Sequence, residues 1–279
     1  MAHANDSSAH GQLQWKSFPA GEAGFFRTPT LLFGPSEALL IDGGFTLADG
    51  RAVAEAISAT GRKLSCIYVS QSDPDYYFSL RPITERFPGA QVIAATDTIA
   101  AIKSSVEKKL STWGPQLGDN GPKTLTDVVI PTAYDGGELL VDGNPIHVMA
   151  ARNLANRRYL WAPSIAAIFG GVLVFSGVHV WTADTSSVEE RSAWISELEA
   201  MLGRRPAVVV PGHMTPIAPT GPEAIVYTRD YLRAFEEELT KAADSAELIA
   251  AMTRRYPDAG MSVALQIGAK VAAGEMNWG

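Results

Sequence analysis

Val69-Ser70-Gln71-Ser72-Asp73-Pro74-Asp75-Tyr76-Tyr77-Phe78 follows directly from the apolar run Cys66-Ile67-Tyr68-Val69. A short, fully apolar run reads as a buried strand, and the polar residues behind it read as a loop that the strand delivers to one edge of a sheet. Loops held in this way on a rigid scaffold carry chemistry more often than the strands themselves. Asp73-Pro74-Asp75 also has the composition of a helix cap, in which a carboxylate accepts backbone N–H groups. Both readings are open for the two aspartates.

Working upstream, Leu31-Leu32-Phe33 and Ala38-Leu39-Leu40-Ile41 are separated by Gly34-Pro35-Ser36-Glu37 and predict a hairpin. Asp42-Gly43-Gly44 closes its second strand with a turn, and residues 51–60 have a helical pattern before the strand at 64–70. Downstream, the chain returns to helix after Tyr77, makes a strand over 90–95 and a helix over 97–111. Residues 113–128 then form a Gly/Pro/Asn-containing excursion without periodicity, and long loops of this kind are usually functional. The second half repeats the order, with strands near 138–141, 145–150, 159–162 and 167–175, a helix near 187–203 and the strand Ala207-Val208-Val209-Val210. The tail from Pro222 reads as helices, and residues 230–243 are amphipathic, with a charged side that reads as a solvated face.

Composition narrows the function classes. With 279 residues and 46% hydrophobic content the chain can bury a sizeable core, and residues 13–279 are expected to form one domain behind a polar, disordered tail at 1–12. The formal charge is −7, and the 23 basic residues are scattered rather than clustered, which argues against a nucleic-acid or anionic-membrane partner. A small neutral or cationic molecule fits better. No run of 18 apolar residues is present, so no spanning helix is expected and the chain reads as soluble. Ala2-His3-Ala4 has the small-x-small form of a signal-peptidase site without the basic and apolar regions that precede one, so the expected compartment is the cytoplasm, or the periplasm if a signal has been removed. The one cysteine, Cys66, excludes a multi-cysteine zinc site and reads as an inert core thiol. No apolar stripe demands an oligomer, although strand edges and the helical tail allow one.

The loop at 69–78 resembles the metal loop of the metallo-β-lactamase superfamily, Thr/Ser-His-x-His-x-Asp-His, and four further landmarks follow the superfamily's order between about residues 30 and 220. Leu39-Leu40-Ile41-Asp42-Gly43-Gly44 is similar to the strand and Asp-x-Gly turn, and residues 149–163 to the strand carrying the next ligand. Ile168-Phe169-Gly170-Gly171-Val172 is similar to Leu-Phe-x-Gly-Asp, and Val210-Pro211-Gly212-His213 to the closing Pro-Gly-His. The resemblance implies an α/β fold, the four-layered αββα sandwich, and a hydrolase-type pocket. It also implies seven ligand positions for two zinc ions, which read here Gln71, Asp73, Asp75, Tyr76, Asn153, Val172 and His213. Only Asp75 and His213 keep the expected residue. Val172 has no donor, and Tyr76 offers a phenol with an ordinary pKa of ~10. A zinc pair is therefore not expected, and no cofactor is; the remaining oxygen-rich set would suit at most one divalent ion, held by Asp73, Asp75 and His213, with His179 as a further candidate.

Three functional readings follow. In the first, the chain is a hydrolase of a small ester, lactone, amide or thioester. Asp75 is its general base, assisted by His213, with a pKa raised by Asp73 and by desolvation. Tyr76, Gln71 and Asn153 are its candidate oxyanion donors. In the second, it is a pseudoenzyme that binds a small ligand, its metal cavity refilled by Tyr76 and Val172. In the third, it is a single-metal hydrolase. Trp113 and Trp181 are candidate pocket walls, as are the aromatic residues Tyr77, Phe78, Tyr159 and Trp161, which equally suit the core. His179 reads as a pocket residue or a packing histidine. Arg157 reads as a guanidinium at the rim that could hold a carboxylate. His147, alternating with Ile146 and Val148, reads as a solvent-facing strand residue.

Overall fold

Alternation of apolar residues explains how two sheets come to lie face to face. In the computed structural model, which describes residues 11–278, β2 (Thr30–Phe33) and β3 (Glu37–Ile41) form the expected antiparallel hairpin with Leu31 opposite Leu40 and Leu32 opposite Leu39. Leu32, Leu39 and Ile41 point to one face and Leu31 and Leu40 to the other, and all five are buried. A sheet apolar on both faces must be covered on both. The expectation of a disordered tail at 1–12 falls largely outside the described residues.

The first sheet has the order β1-β2-β3-β4-β5-β6. β1 (Gln14–Ser17), not foreseen in the sequence, pairs antiparallel with β2. β4 (Lys63–Tyr68), β5 (Gln91–Ala94) and β6 (Thr132–Ala133) add in parallel, joined by α1 (Leu47–Thr60), α2 (Leu80–Arg86) and α3 (Thr96–Leu117). Thr46 caps α1 by accepting the Asp49 N–H, and Gly61 ends it in the left-handed conformation. The second sheet runs β12-β10-β9-β8-β7, built from β7 (Glu138–Val141), β8 (Asn144–Ala150), β9 (Arg158–Ala162), β10 (Ala167–Phe169) and β12 (Val208–Val210).

Between the sheets lies a core of Leu32, Leu39, Ile41 and Tyr68 from the first and Val141, Ile146, Leu160 and Phe169 from the second. Helices pack outside. Val53 and Ile57 of α1, Ile83 of α2 and Ile102 of α3 join a core that also holds Trp194 and Leu198 of α4 (Val188–Gly203) and Leu232 and Phe235 of α5 (Glu223–Leu239). This is the αββα sandwich. Two further helices, α6 (Ser245–Arg255) and α7 (Ser262–Ala272), follow α5, and no helix among the described residues is long and apolar enough to cross a membrane.

Two expectations are corrected. The strand over 167–175 is broken, because Gly171 adopts φ +51°, and a Cβ there would stand 2.7 Å from the Arg158 carbonyl oxygen. The chain turns, and β11 (Phe175–Ser176) instead pairs in parallel with β13 (His213–Met214). The supposed excursion from Trp113 begins as helix, since α3 continues through Pro115 to Leu117. Trp113 packs edge-on against Phe25 and Phe45, with centroids 5.2 and 5.8 Å apart, and this tertiary contact holds the last turn despite the proline.

Candidate functional site

The 69–78 loop is pinned from below by Asp42, whose own φ of 62° turns the chain at the end of β3. Its carboxylate accepts the Ser70 N–H at 2.6 Å and the Ser70 hydroxyl at 2.8 Å, and Gly43 N–H bonds to the Tyr76 carbonyl. Arg27 closes the arrangement from the opposite loop, donating to Asp42 at 2.5 Å and to the Gly212 carbonyl. Burial drives the Asp42 pKa up, and Arg27 and Ser70 only partly offset it. Pro74–Tyr76 form a 3-10 turn that carries Asp75 and Tyr76 inward. Across from it, the pairing of β11 with β13 seats His213 on the Phe175 ring, with the centroids 4.8 Å apart and the ring planes nearly parallel.

Asp75 and His213 meet directly. Asp75 Oδ2 lies 2.8 Å from His213 Nε2, and both residues are buried. Burial pushes the Asp75 pKa up, but the hydrogen bond and charge of His213, with the Arg27 charge, outweigh it and hold Asp75 below its ordinary value. An ionised carboxylate only accepts, so Nε2 carries the proton and donates. His213 is itself held below the usual imidazole value, by burial first and Arg27 second, against the pull of Asp75. It is therefore the neutral tautomer at physiological pH, and its Nδ1 has no partner. The expectation that Asp73 raises the Asp75 pKa is thus overturned, and the Asp73 carboxylate is instead neutralised by Lys109 at 2.9 Å. Nor does Asp73 cap the turn, as its side chain makes no cap bond there.

This pair opens onto a cavity of about 730 Å³. Gln71, Asp73, Asp75, Tyr76, Val172 and His213 all line it, together with Trp113, Trp181 and Arg157. Gln71 is occupied, since its Oε1 accepts from Ser72 N–H and from Asn156 Nδ2 at 2.9 Å. Tyr76 is fully buried, its hydroxyl has no partner and burial drives its pKa far up, so it stays a neutral phenol.

Two expected members are elsewhere. Asn153 is exposed and absent from the lining, and Asn156, three residues on in the same run, takes the pocket position. Both asparagines have positive φ, and the intervening Leu154 is buried, so the loop turns a different amide inward than the family pattern implies. His179 is buried outside the cavity, its Nδ1 3.0 Å from the Tyr231 hydroxyl and its pKa lowered by burial. Arg157 is not at the rim but buried. Tyr77, Phe78 and Tyr159 are core residues, and Trp161 lies half-buried outside the cavity. His147 is partly exposed and faces Glu138 at 3.5 Å, and burial pushes the Cys66 thiol up to about 12, consistent with an inert thiol.

Sequence reasoning missed Arg27, Lys109, Asn156, Asp184 and Trp278. Asp184 accepts from the indoles of Trp181 at 2.7 Å and Trp278 at 3.0 Å. Its side chain is exposed where it lines the cavity, and desolvation by the surrounding protein and the nearby Asp73 raise its pKa to about 6. Its three-residue offset from Trp181 was the available signal. For Arg27, 185 residues from Gly212 in sequence, there was none.

The fold implies a zinc site, and the residues present do not fit one. Two tetrahedral zinc ligands stand roughly 3.3 Å apart, given bonds of ~2.0–2.2 Å, whereas Asp75 and His213 are in direct contact at 2.8 Å with the imidazole proton on the would-be ligand nitrogen. Among the described residues no group of three or more His, Cys, Asp or Glu is arranged to hold a metal ion. The single-ion trio of Asp73, Asp75 and His213 is therefore not gathered into one shell.

With this geometry in view, the chain is similar in structure to a metallo-β-lactamase family protein from Thermus thermophilus, with a TM-score of 0.63 over 94% of this chain and 93% of that one at 15% identity. It is also similar to the DIM-1 metallo-β-lactamase exposed to ceftazidime, with a TM-score of 0.51 over 81% and 94% of the two chains, again at 15% identity. The fold is that of the metallo-β-lactamases. No protein-family model matches the sequence, and no curated protein sequence is similar to it at a significant level.

Proposed function

We propose that the chain is a metal-independent hydrolase acting on a small ester, lactone, amide or thioester, with Asp75 and His213 as its proton-accepting pair. The observation that carries this reading is the 2.8 Å bond between them at the wall of the cavity. Asp75 is the more open partner, its side chain 11% exposed against 3% for His213, so it is the member that meets water. In the first step water adds to the substrate carbonyl carbon, one water proton passes to the pair, and the carbonyl electrons move to oxygen. In the second the C–O, C–N or C–S bond breaks, and the proton returns to the leaving group. The protons belong to the pair rather than to either residue. Tyr76, a neutral phenol with no partner, is the candidate donor to the oxyanion, provided that substrate binding uncovers its buried hydroxyl.

A second reading, a pseudoenzyme that binds a small ligand without turning it over, is favoured by the filling of the former metal space. Val172 and Tyr76 are fully buried there, with Arg27 packed on the Tyr76 ring. Elemental analysis combined with an ester and lactone hydrolysis screen, before and after chelator treatment, separates the readings. The hydrolase predicts turnover that survives the chelator and is lost in Asp75→Asn. Turnover that disappears with the chelator would overturn the metal-independent mechanism, and no turnover on any substrate would favour the binder.

A further inference from the structure

Among the described residues three arginines are buried, Arg27 at 1%, Arg191 at 2% and Arg157 at 4% exposure. The first two are paired with carboxylates, although Arg27 Nε is itself buried without a partner. Arg27 has Asp42 and the Gly212 carbonyl, and Arg191 has Glu236 and the carbonyls of Thr185 and Ser186. Arg157 makes no side-chain hydrogen bond or ion pair with any described residue, and its Nη1 is buried without a partner. Its guanidinium stands 5.8 Å from the Trp194 ring, which supplies a face but no acceptor. A buried guanidinium nitrogen left without an acceptor costs the fold stability, and an anion entering the cavity would supply the missing partner.

The other ionisable groups around the cavity have partners. Asp73 has Lys109, Asp75 has the His213 N–H with Arg27 nearby, and Lys108 is engaged as well. Asp184 is the exception on the acidic side. Each of its oxygens takes one indole N–H, a neutral donor, and no cation pairs with it among the described residues. A carboxylate has about four acceptor positions, so two remain for an ammonium, with the Trp181 and Trp278 rings, 5.2 Å apart, beside them. Arg157 and Asp184 feel each other's charge but do not form an ion pair. A cation and an anion without an ion-pair partner among the described residues thus line the same cavity, with Trp113, Met261 and Val263 among the apolar residues that complete its wall.

From this arrangement we infer that the cavity takes a small zwitterion, its carboxylate on Arg157 and its ammonium on Asp184, with an apolar body between. The inference deepens the small-molecule reading above and rests on the same cavity, but not on catalysis. The raised Asp184 pKa is consistent with a carboxylate lacking a counter-cation in the free protein.

The test is calorimetric binding of ω-amino carboxylates from glycine to 8-aminooctanoate, and of phenylalanine, to the full chain. Each is compared with the alkyl carboxylate and alkylamine of the same length, or for phenylalanine with its N-acetyl and amide forms. At least one zwitterion should bind tenfold or more tighter than both its singly charged analogues, and both Arg157→Met and Asp184→Asn should abolish that margin. Arg157→Met should also raise the Tm of the unliganded protein by about 2–4 °C, an effect that a structural arginine would not give. Binding should persist in Asp75→Asn, so that loss of turnover and loss of binding are read separately. The inference is overturned if no zwitterion binds, if a singly charged analogue binds as tightly, or if Arg157→Met lowers the Tm and leaves binding intact.

Discussion

The Arg27 guanidinium carbon lies 3.8 Å from the centre of the Tyr76 ring, and the same group holds Asp42 and the Gly212 carbonyl. One buried cation thereby ties the turn that carries Asp75 to the loop that carries His213. Arg27→Met strands Asp42 in the interior, and breaking a buried pair from one side costs about 3–5 kcal/mol. The sign of its pH dependence follows from Asp42, whose folded pKa is raised by burial above the ordinary 3.8. A raised carboxyl contributes stability that is present below the unfolded pKa and lost as pH rises through the folded one. Removing Arg27 raises the folded value further, so the deficit should be larger at pH 8 than at pH 5. Urea midpoints at the two pH values check this, and equal deficits would show that Asp42 is not the group left unpaired.

Asp75 and His213 set the acid limit. Both are held below their ordinary values of 3.8 and 6.5, so each binds its proton more weakly folded than unfolded. Their stability is present above the unfolded pKa and lost as pH falls, first from His213 below 6.5 and then from Asp75 below 3.8. Asp75→Asn removes a charge-assisted hydrogen bond worth roughly 1.5–3 kcal/mol, and His213, freed from the carboxylate, should titrate lower still. Unfolding midpoints between pH 4 and 8, with the His213 ring followed by NMR, measure both. A His213 pKa that rises in Asp75→Asn would contradict the assigned pair.

Much of the fold was legible because it rests on local patterns. Alternation in Leu31-Leu32 and Leu39-Leu40 gives the hairpin, and the ordered landmarks from Asp42 to His213 give the sandwich. The site was half legible. Gln71, Asp73, Asp75, Tyr76 and His213 are fixed by their place after strands, and all of them reach the cavity. Arg27, Lys109 and Asp184 come from elements without any motif, brought in by packing alone. The misplacement of Asn153 has a local cause, since residues 152–156 form an irregular loop with two positive-φ asparagines, where period tells nothing about which amide turns inward. The electrostatic error was of the same kind, as the pairing of Asp73 with Lys109 depends on the close approach of α3 to the 69–78 loop.

Gly212 is required by close approach rather than by conformation. A Cβ at this position would lie 1.9 Å from the Gly171 carbonyl oxygen and 3.2 Å from Arg27 Nη1, and the first of these atoms is backbone that cannot swing away. Gly212→Ala should therefore cost at the upper end of the ~1–3 kcal/mol typical of overpacking, and should also lengthen the Asp75–His213 bond by moving the loop before β13. A urea midpoint reports the first effect, and turnover on whichever ester or lactone the wild type hydrolyses reports the second. Gly203, where a Cβ meets nothing within 4 Å, is the control position at which alanine should be neutral or better.

Asp184 supplies an optical handle on the cavity. Its pKa is raised to about 6 by desolvation and by Asp73, with Arg157, the Trp181 indole and Lys109 acting in the opposite direction. Both its oxygens accept from indoles, so its ionisation changes the field at Trp181 and Trp278 directly. Tryptophan emission should step with a midpoint of about 6, and the step should vanish in Asp184→Asn. The stability effect is opposite in sign to that of Asp75 and His213. A raised carboxyl stabilises below its unfolded pKa of 3.8, and that contribution is lost as pH climbs through about 6. Asp184→Asn should therefore unfold at a higher temperature than the wild type at pH 7.5 and gain less at pH 4.5. An emission step that survives the substitution would assign the titration to another group, with His213 the next to examine through Asp75→Asn.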